Sequence, residues 1–346
     1  MTDFEPPLRL TIDGEALVSN WRYLKGQGQA SCGAAVKANG YGLGAVDVVR
    51  RLRDAGCRDF FVAHWGEAAA ISHLVTPNSI AVLNGITAAD IPQIRQIGAI
   101  PVLNTPKQIA LWRASGGGRC HVMLDSGINR LGIGPEQFAA PLFEGLDIDI
   151  LMSHLASADE NSPQNEAQLS LFRQQAKSVK AKRLSLANSA GVFLGRDYHF
   201  DLSRPGLAVY GGIPRAEMAK DIKPVVALSS RVLQLRTLSA GDPVGYNATY
   251  ICTAPTKVAT LSLGYADGYL RCFANKGALH ARGITLPVIG RVSMDLITVD
   301  VTVLIDGSEG DWIDVDYDLV QTSGATGLSQ YELLTNLGSR FSRSWR

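Results

Sequence analysis

From about residue 29 to residue 212, short apolar runs of strand length alternate with stretches of helical period. The apolar runs fall at residues 30–36, 59–63, 80–83, 100–103, 120–124, 148–152, 183–187 and 206–210, which makes eight strand candidates. Between them lie helical patterns such as 46–54, 106–114 and 163–179. The last places Leu169, Phe172, Ala176 and Val179 on one face, with Ser162 as a cap and Pro163 at the first position. Eight alternations predict a (β/α)8 barrel of the TIM type rather than a doubly wound sheet. No G-x-G-x-x-G follows an early strand with an acid about 20 residues later, and there is no Walker motif.

After residue 224 the texture changes. Residues 225–235, 258–263, 285–289, 296–299 and 311–315 are rich in β-branched side chains and separated by Gly, Asp and Pro turns. This predicts a mostly β C-terminal domain over 225–346, with one amphipathic helix near 329–337. The barrel is expected over 1–224. Residues 8–12 form a spare strand that could join the second domain.

Composition narrows the function classes. The 346 residues carry a net charge of +1 with no basic cluster or acidic tail, so nucleic acid and anionic membranes are poor partners. No apolar run reaches membrane-spanning length and no signal pattern opens the chain, which reads as cytoplasmic. Five scattered cysteines (Cys32, Cys57, Cys120, Cys252, Cys272) form neither a metal spacing nor a disulfide framework.

The candidate chemistry gathers at strand ends. Lys37 closes the first apolar run and opens Lys37-Ala-Asn-Gly-Tyr-Gly-Leu-Gly44. A lysine at a buried strand end is partly desolvated, which lowers its pKa and frees the amine as a base or nucleophile. The glycine-spaced turn beside it lets backbone amides approach a phosphate, and the pair suggests pyridoxal phosphate. A snorkelling surface lysine before a loop is the alternative. The fifth strand runs into Asp125-Ser-Gly-Ile-Asn-Arg130, the sixth ends at His154, the seventh at Asn188-Ser189, and Arg204-Pro-Gly206-Leu207 precedes the eighth. Singly, each has a plainer reading: His154 as a structural histidine, Arg130 as an ion-pair partner of Asp125, Ser189 as a helix cap. Together they put two arginines, a lysine and a histidine on one rim, suited to an anionic cofactor and a carboxylate substrate.

Taken in order, AVKANGYGLG, LDSGINRLG, SHLASADE, ANSAG, SRPGLAVYGG, LGYADG and GRVSMD resemble the alanine racemases. These are pyridoxal 5'-phosphate enzymes built from a barrel and a β domain. The resemblance implies a homodimer with shared active sites that interconverts L- and D-alanine by two bases and supplies peptidoglycan precursors. Lys37 would hold the cofactor covalently and act as one base, with Tyr265, from the second subunit, as the base on the opposite face. Arg204 would donate to the pyridine nitrogen, keeping it unprotonated. His154 would link Arg204 to Tyr265 and help the phenol ionise. Arg130 would contact the cofactor's phenolic oxygen and the substrate carboxylate. Tyr41, Ser189, Gly206 and Leu207 would bind phosphate, with Asn188 beside them. Met294, with Asp295, would reach the substrate from the partner.

Two positions depart from the family. Where some members carry a carbamylated lysine that orients the arginine, this chain has Met123, which leaves Asn129 or a bound anion to position Arg130. Where some carry a phosphate-binding tyrosine, it has Ser339. A racemase preferring serine or a larger side chain is the nearest rival. The tyrosine of LGYADG argues against a barrel decarboxylase, and the β domain against a cofactor carrier.

Overall fold

In the computed structural model, which describes residues 5–304 and 306–346, the chain divides into two compact units. One comprises Leu17–Lys223; the other comprises the described residues up to Ala16 together with Pro224–Arg346.

The first unit is a parallel barrel. Seven strands follow one another in sequence order: Ala34–Ala35, Phe60–Val62, Ile80–Val82, Ile100–Leu103, Arg119–Met123, Asp147–Met152 and Arg183–Ser185. Nearly all their residues are buried, because helices cover the outside and side chains fill the inside. The eighth member is Leu202–Ser203, which pairs in parallel with Ser31–Cys32. The amides of Gly33 and Ala35 donate to the carbonyls of Ser203 and Pro205 at 2.9 and 2.8 Å on one side. Those of Asp201 and Arg204 donate to Leu184 and Ala187 at 3.0 and 2.8 Å on the other. The ring is thereby closed.

The expected eighth strand at 206–210 is corrected here. Residues Leu207–Tyr210 form a 3-10 turn, and the strand lies just before it. The run is apolar because it is buried, not because it is extended. Tyr210 is fully enclosed, and its hydroxyl donates to the Ala35 carbonyl at 2.8 Å. A short buried run carries no periodicity that separates the two conformations. Helices Ala45–Asp54 and Pro106–Ala114 form where the apolar period placed them, the second capped by the Thr105 side chain. Pro163–Ala176 is capped by Ser162 and stops short of residue 179.

At the N-terminal end of the strands an ion network crosses the barrel. The Arg183 guanidinium donates to both oxygens of Asp59 at 3.1 and 2.9 Å, and to both of Asp149 at 3.2 and 3.0 Å. Burial opposes its charge, but these four bonds outweigh it and hold its pKa above the usual value. His121 sits nearby at an irregularity in strand pairing, its Nδ1 accepting the Ile150 amide at 3.1 Å.

The second unit is built on one long strand, Val226–Leu238. Its first half pairs with Leu8–Ile12 and with Trp312–Val315; past a shift at Val232/Gln234 it pairs with Thr256–Leu261. Ile297–Asp300, Ile284–Ile289 and Ala278–Ala281 complete a loop of pairings back to Trp312–Val315. Leu8–Ile12 alternates buried and half-buried residues, the pattern of a strand with one face on a core. Ser342–Trp345 lies beside it in parallel. The helix expected near 329–337 forms as Gln330–Thr335, and a further helix, Leu319–Thr326, precedes it.

His121 gives this fold a measurable acid sensitivity. Burial first, and then the charges of Arg183, Arg119 and Arg204, push its pKa from 6.5 down to about 3. Between those values the unfolded chain binds the proton and the folded chain does not, so stability falls as pH falls through the window. His121→Asn retains an acceptor for the Ile150 amide but cannot titrate. Its unfolding free energy, from denaturant titrations at several pH values, should have a shallower slope in this window by up to about 1.4 kcal/mol per pH unit. Equal slopes in both proteins contradict the assignment.

Candidate active site

The turn after the first barrel strand is bent in a way few sequences tolerate. Ala38, Asn39, Gly40 and Tyr41 all have positive φ, at 53°, 53°, 64° and 54°. A left-handed run costs roughly 1–2 kcal/mol for each residue other than glycine, so the surroundings must hold it. The Val36 carbonyl accepts the Gly40 amide at 2.9 Å and Asn39 Oδ1 accepts the Ala45 amide at 2.9 Å, tying the turn to the following helix. Glu67 accepts the Ala38 amide at 2.6 Å and the Ala63 amide at 2.7 Å, tying it to the next strand. The Tyr41 ring stacks on Tyr210 with centroids 4.4 Å apart.

Lys37 stands at the start of this turn, half-buried. Burial lowers its pKa from 10.5, the nearby Arg130 lowers it further, and the charge of Glu67, whose oxygens accept the amides of Ala38 and Ala63, opposes the shift.

Three other expected residues share its surroundings. Arg204 is buried; its guanidinium donates to the Ser153 carbonyl at 2.6 Å and to the Ser185 hydroxyl. These are neutral oxygens, and burial lowers its pKa to about 10. His154 is pushed down to about 3 by burial and then by Arg204, Arg130 and Lys37. At neutral pH its ring is uncharged, so it can pass on a hydrogen bond but not a positive charge. Arg130 is exposed at the end of a loop organised by Asp125, whose carboxylate accepts the amides of Gly127, Ile128, Asn129 and Arg130 at 2.8 to 3.1 Å. The arginine's backbone is thus placed by Asp125, with Asn129 at a φ of 55° inside the loop. Met123 is buried beneath.

The residues expected at a phosphate also converge. Ser189 Oγ accepts the amides of Gly206 and Ala208 at 2.9 and 3.2 Å, leaving its own proton to donate. The cap role belongs to its neighbour Asn188, whose Oδ1 accepts the Gly191 amide at 2.9 Å. Leu207 is buried directly after Gly206. A Cβ on Gly206 would lie 2.1 Å from the Tyr41 hydroxyl, so only glycine lets the two elements meet.

One residue behind this first layer lies outside every motif. Gln168, buried in the helix Pro163–Ala176, accepts the Ala156 amide at 2.8 Å and donates to the His154 carbonyl at 2.9 Å and the Ser126 hydroxyl at 3.3 Å. Ser126 in turn bonds Ser153 at 2.7 Å. The available hint was a polar residue on a helix's apolar face.

Tyr265, Met294 and Asp295 belong to the second unit, where they lie together. The Tyr265 amide donates to the Ser293 carbonyl and the Ala266 amide to the Met294 carbonyl, each at 3.0 Å. The Arg271 guanidinium lies 5.3 Å from the Tyr265 ring centroid. Met294 is 53% exposed, an unusual setting for a methionine. The Asp295 carboxylate is held by Arg340 at 2.6 Å, while Ser339 beside it is exposed.

A barrel with an activated lysine among cations, followed by a β unit bearing a tyrosine on a tight turn, defines a class of two-domain amine-chemistry enzymes. Comparison with known proteins is specific. The alanine racemase N-terminal domain matches residues 12–214, and the alanine racemase C-terminal domain matches residues 225–345. The chain is 43% identical to an alanine racemase of Jannaschia, across 97% of this chain and 98% of that one. It is 42% identical to a catabolic alanine racemase of Agrobacterium fabrum, across 97% and 91%. Among solved structures, the alanine racemase of Bartonella henselae with covalently bound pyridoxal phosphate superposes with a TM-score of 0.92 at 36% identity, covering 98% and 99% of the two chains. The biosynthetic alanine racemase of Pseudomonas aeruginosa gives 0.89 at 33% identity, covering 99% and 100%. The chain belongs to the alanine racemase family.

The lowered pKa of Lys37 has a direct consequence. Only the neutral amine attacks an aldehyde, so capture rises with pH and reaches half its limit at the pKa. In cofactor-stripped protein, borohydride-trapped labelling of Lys37 by a small aldehyde should have its midpoint below 10.5. Peptide mapping across a pH series reads this, and a midpoint at or above that value contradicts the burial argument.

Proposed function

We propose that the chain interconverts L- and D-alanine on pyridoxal 5'-phosphate, in a homodimer whose two sites each draw on both subunits. The observation that carries the reading is the set of donors around Lys37. Two guanidinium groups and a desolvated amine gather at one rim, and Arg204, one of these groups, hydrogen-bonds only neutral oxygens among the described residues. Such a site calls for an anion. The Gly206 backbone, bare of a Cβ beneath Tyr41, and the Ser189 hydroxyl fit a phosphate.

When bound, the cofactor supplies a carbon that bonds amines and a conjugated ring that accepts electron density from Cα. Lys37 would anchor it, with Tyr41, Ser189, Gly206 and Leu207 at its phosphate and Asn188 holding the adjoining turn. Arg204, with a pKa near 10, keeps its proton at neutral pH and would offer the ring nitrogen a hydrogen bond rather than a proton. Arg130 would pair the phenolic oxygen and the substrate carboxylate, with Met294 and Asp295 on the substrate side.

Racemisation requires proton removal on one face of Cα and delivery on the other. Lys37 serves the D-enantiomer and Tyr265 the L-enantiomer. After one turnover each has exchanged its protonation state with the other, and solvent resets them. His154, neutral, contributes an N–H to this chain of donors rather than a cation. The barrel unit would thus carry the cofactor lysine and the β unit the second base. Supply of D-alanine for peptidoglycan in the cytoplasm is the role that fits this activity. No helix among the described residues is long and apolar enough to cross a membrane.

The shared site is tested by complementation. Lys37→Ala and Tyr265→Phe should each be inactive as pure dimers, whereas mixing and exchanging subunits creates heterodimers with one intact site. Alanine racemisation should then recover to about a quarter of the wild-type rate, the random-mixing expectation for half the dimers each holding one site. No recovery, with subunit exchange demonstrated by mass spectrometry, contradicts sites built from two chains.

A further inference from the structure

We infer that Arg340 is a positioning residue that clamps the loop bearing Tyr265 to the loop bearing Met294, so that the second base and the substrate-side methionine are set by one guanidinium. The inference deepens the proposed racemase reading and rests on it for its kinetic consequence, but the clamp itself is a matter of geometry within the second unit.

Three segments meet there. The turn Tyr265–Asp267 is short and opens at Gly264, whose amide donates to Asp267 Oδ2 at 2.9 Å. The 293–295 segment accepts the amides of Tyr265 and Ala266. The contact is so close that a Cβ on Gly264 would lie 2.2 Å from the Met294 carbonyl oxygen. The third segment, just past the last helix, donates the Gly338 amide to the Asp267 carbonyl at 3.1 Å and then presents Arg340.

Arg340 reaches both of the others. Its Nε and Nη2 donate to the two oxygens of Asp267 at 2.6 and 2.8 Å, and its Nη1 donates to Asp295 at 2.6 Å. Asp267 is completely buried, so its charge has no solvent to rely on; Asp295 is exposed. A planar fork that serves one carboxylate bidentately and a second from its remaining nitrogen is a task for arginine, and lysine's single ammonium cannot match it. The Tyr265 backbone lies between these anchors, two residues from Asp267 and hydrogen-bonded to Ser293, two residues from Asp295. A shift of the turn moves the phenol, and misplacement of a reacting group by about 1 Å costs on the order of 100-fold in rate.

The test has a structural arm and a kinetic arm. In the wild-type holoenzyme, amides of residues 264–267 and 293–295 should exchange slowly with deuterated solvent. Arg340→Ala should speed both segments together and leave the barrel unchanged. Arg340→Lys should protect at most one of them. Because Asp267 would be left as a buried unpaired charge, the double variant Arg340→Met with Asp267→Asn provides a charge-balanced control, and it should fold and still exchange fast at both segments. Kinetically, Arg340→Ala should lower kcat for alanine racemisation about 100-fold, but should slow the α-hydrogen exchange of D-alanine that Tyr265→Ala retains no more than about threefold when added to that variant, since a residue acting through the phenol has little to lose once it is gone. Unaltered amide exchange, or equal fold-losses in racemisation and in that D-alanine exchange, overturns the inference. If the wild-type protein racemises no amino acid, the functional reading falls, and the exchange arm still decides the clamp.

Discussion

A gathering of positive charge at the mouth of the barrel, beside acids whose oxygens bond backbone amides, is the constraint on which the site depends. Glu67 acts on Lys37 through its charge, and its two oxygens accept the amides of Ala38 and Ala63. Asp125, five residues before Arg130, accepts four backbone amides, that of Arg130 among them. Each acid fixes a loop through backbone amides, and among the described residues neither Lys37 nor Arg130 forms a salt bridge with it. Burial and the neighbouring Arg130 hold the pKa of the Lys37 amine below its ordinary value, and Arg204 meets only neutral oxygens among the described residues. The opposite end of the barrel follows the reverse rule, with Arg183 satisfied by two carboxylates, and there the result is structural.

The same constraint accounts for the backbone. A carboxylate can bind the amide after Lys37 only because the chain turns left-handed from Ala38 to Tyr41, and that strained run also brings the Tyr41 ring onto Tyr210 and its hydroxyl against Gly206. Lysine, phosphate cradle and ring stacking are therefore one local solution. His154, surrounded by three cations, is neutral at physiological pH, so any help it gives a phenol is through a hydrogen bond.

The alternation of apolar runs made the barrel legible, and the ordered motifs made the family legible, because both are local in sequence. Lys37 was found by its place at a strand end, and Arg130, His154 and Arg204 by the shared rim. What escaped was long-range or conformational. Arg183 meets Asp59 across 124 residues, and Gln168 reaches Ser126 across 42, distances over which no local pattern carries a signal. The positive φ of Ala38 and Tyr41 was hidden because only glycine advertises that conformation. The eighth strand was misplaced because residues 206–210 are apolar for burial in a 3-10 turn, while the true strand, Leu202–Ser203, is too short to show a period. Met123 and Ser339 drew notice as departures from the family, yet Asp125 and Arg340 beside them carry the contacts on which those loops depend.

The central claim is that two groups from two units, Lys37 and Tyr265, serve opposite faces of the same carbon. The most direct measurement is proton NMR of each alanine enantiomer in heavy water with Tyr265→Ala. The account predicts that racemisation is lost while the α-hydrogen of D-alanine still exchanges with solvent, because Lys37 remains on that face and the L-face has no base. Comparable exchange from both enantiomers would mean that one group serves both faces, and the two-base account would be wrong.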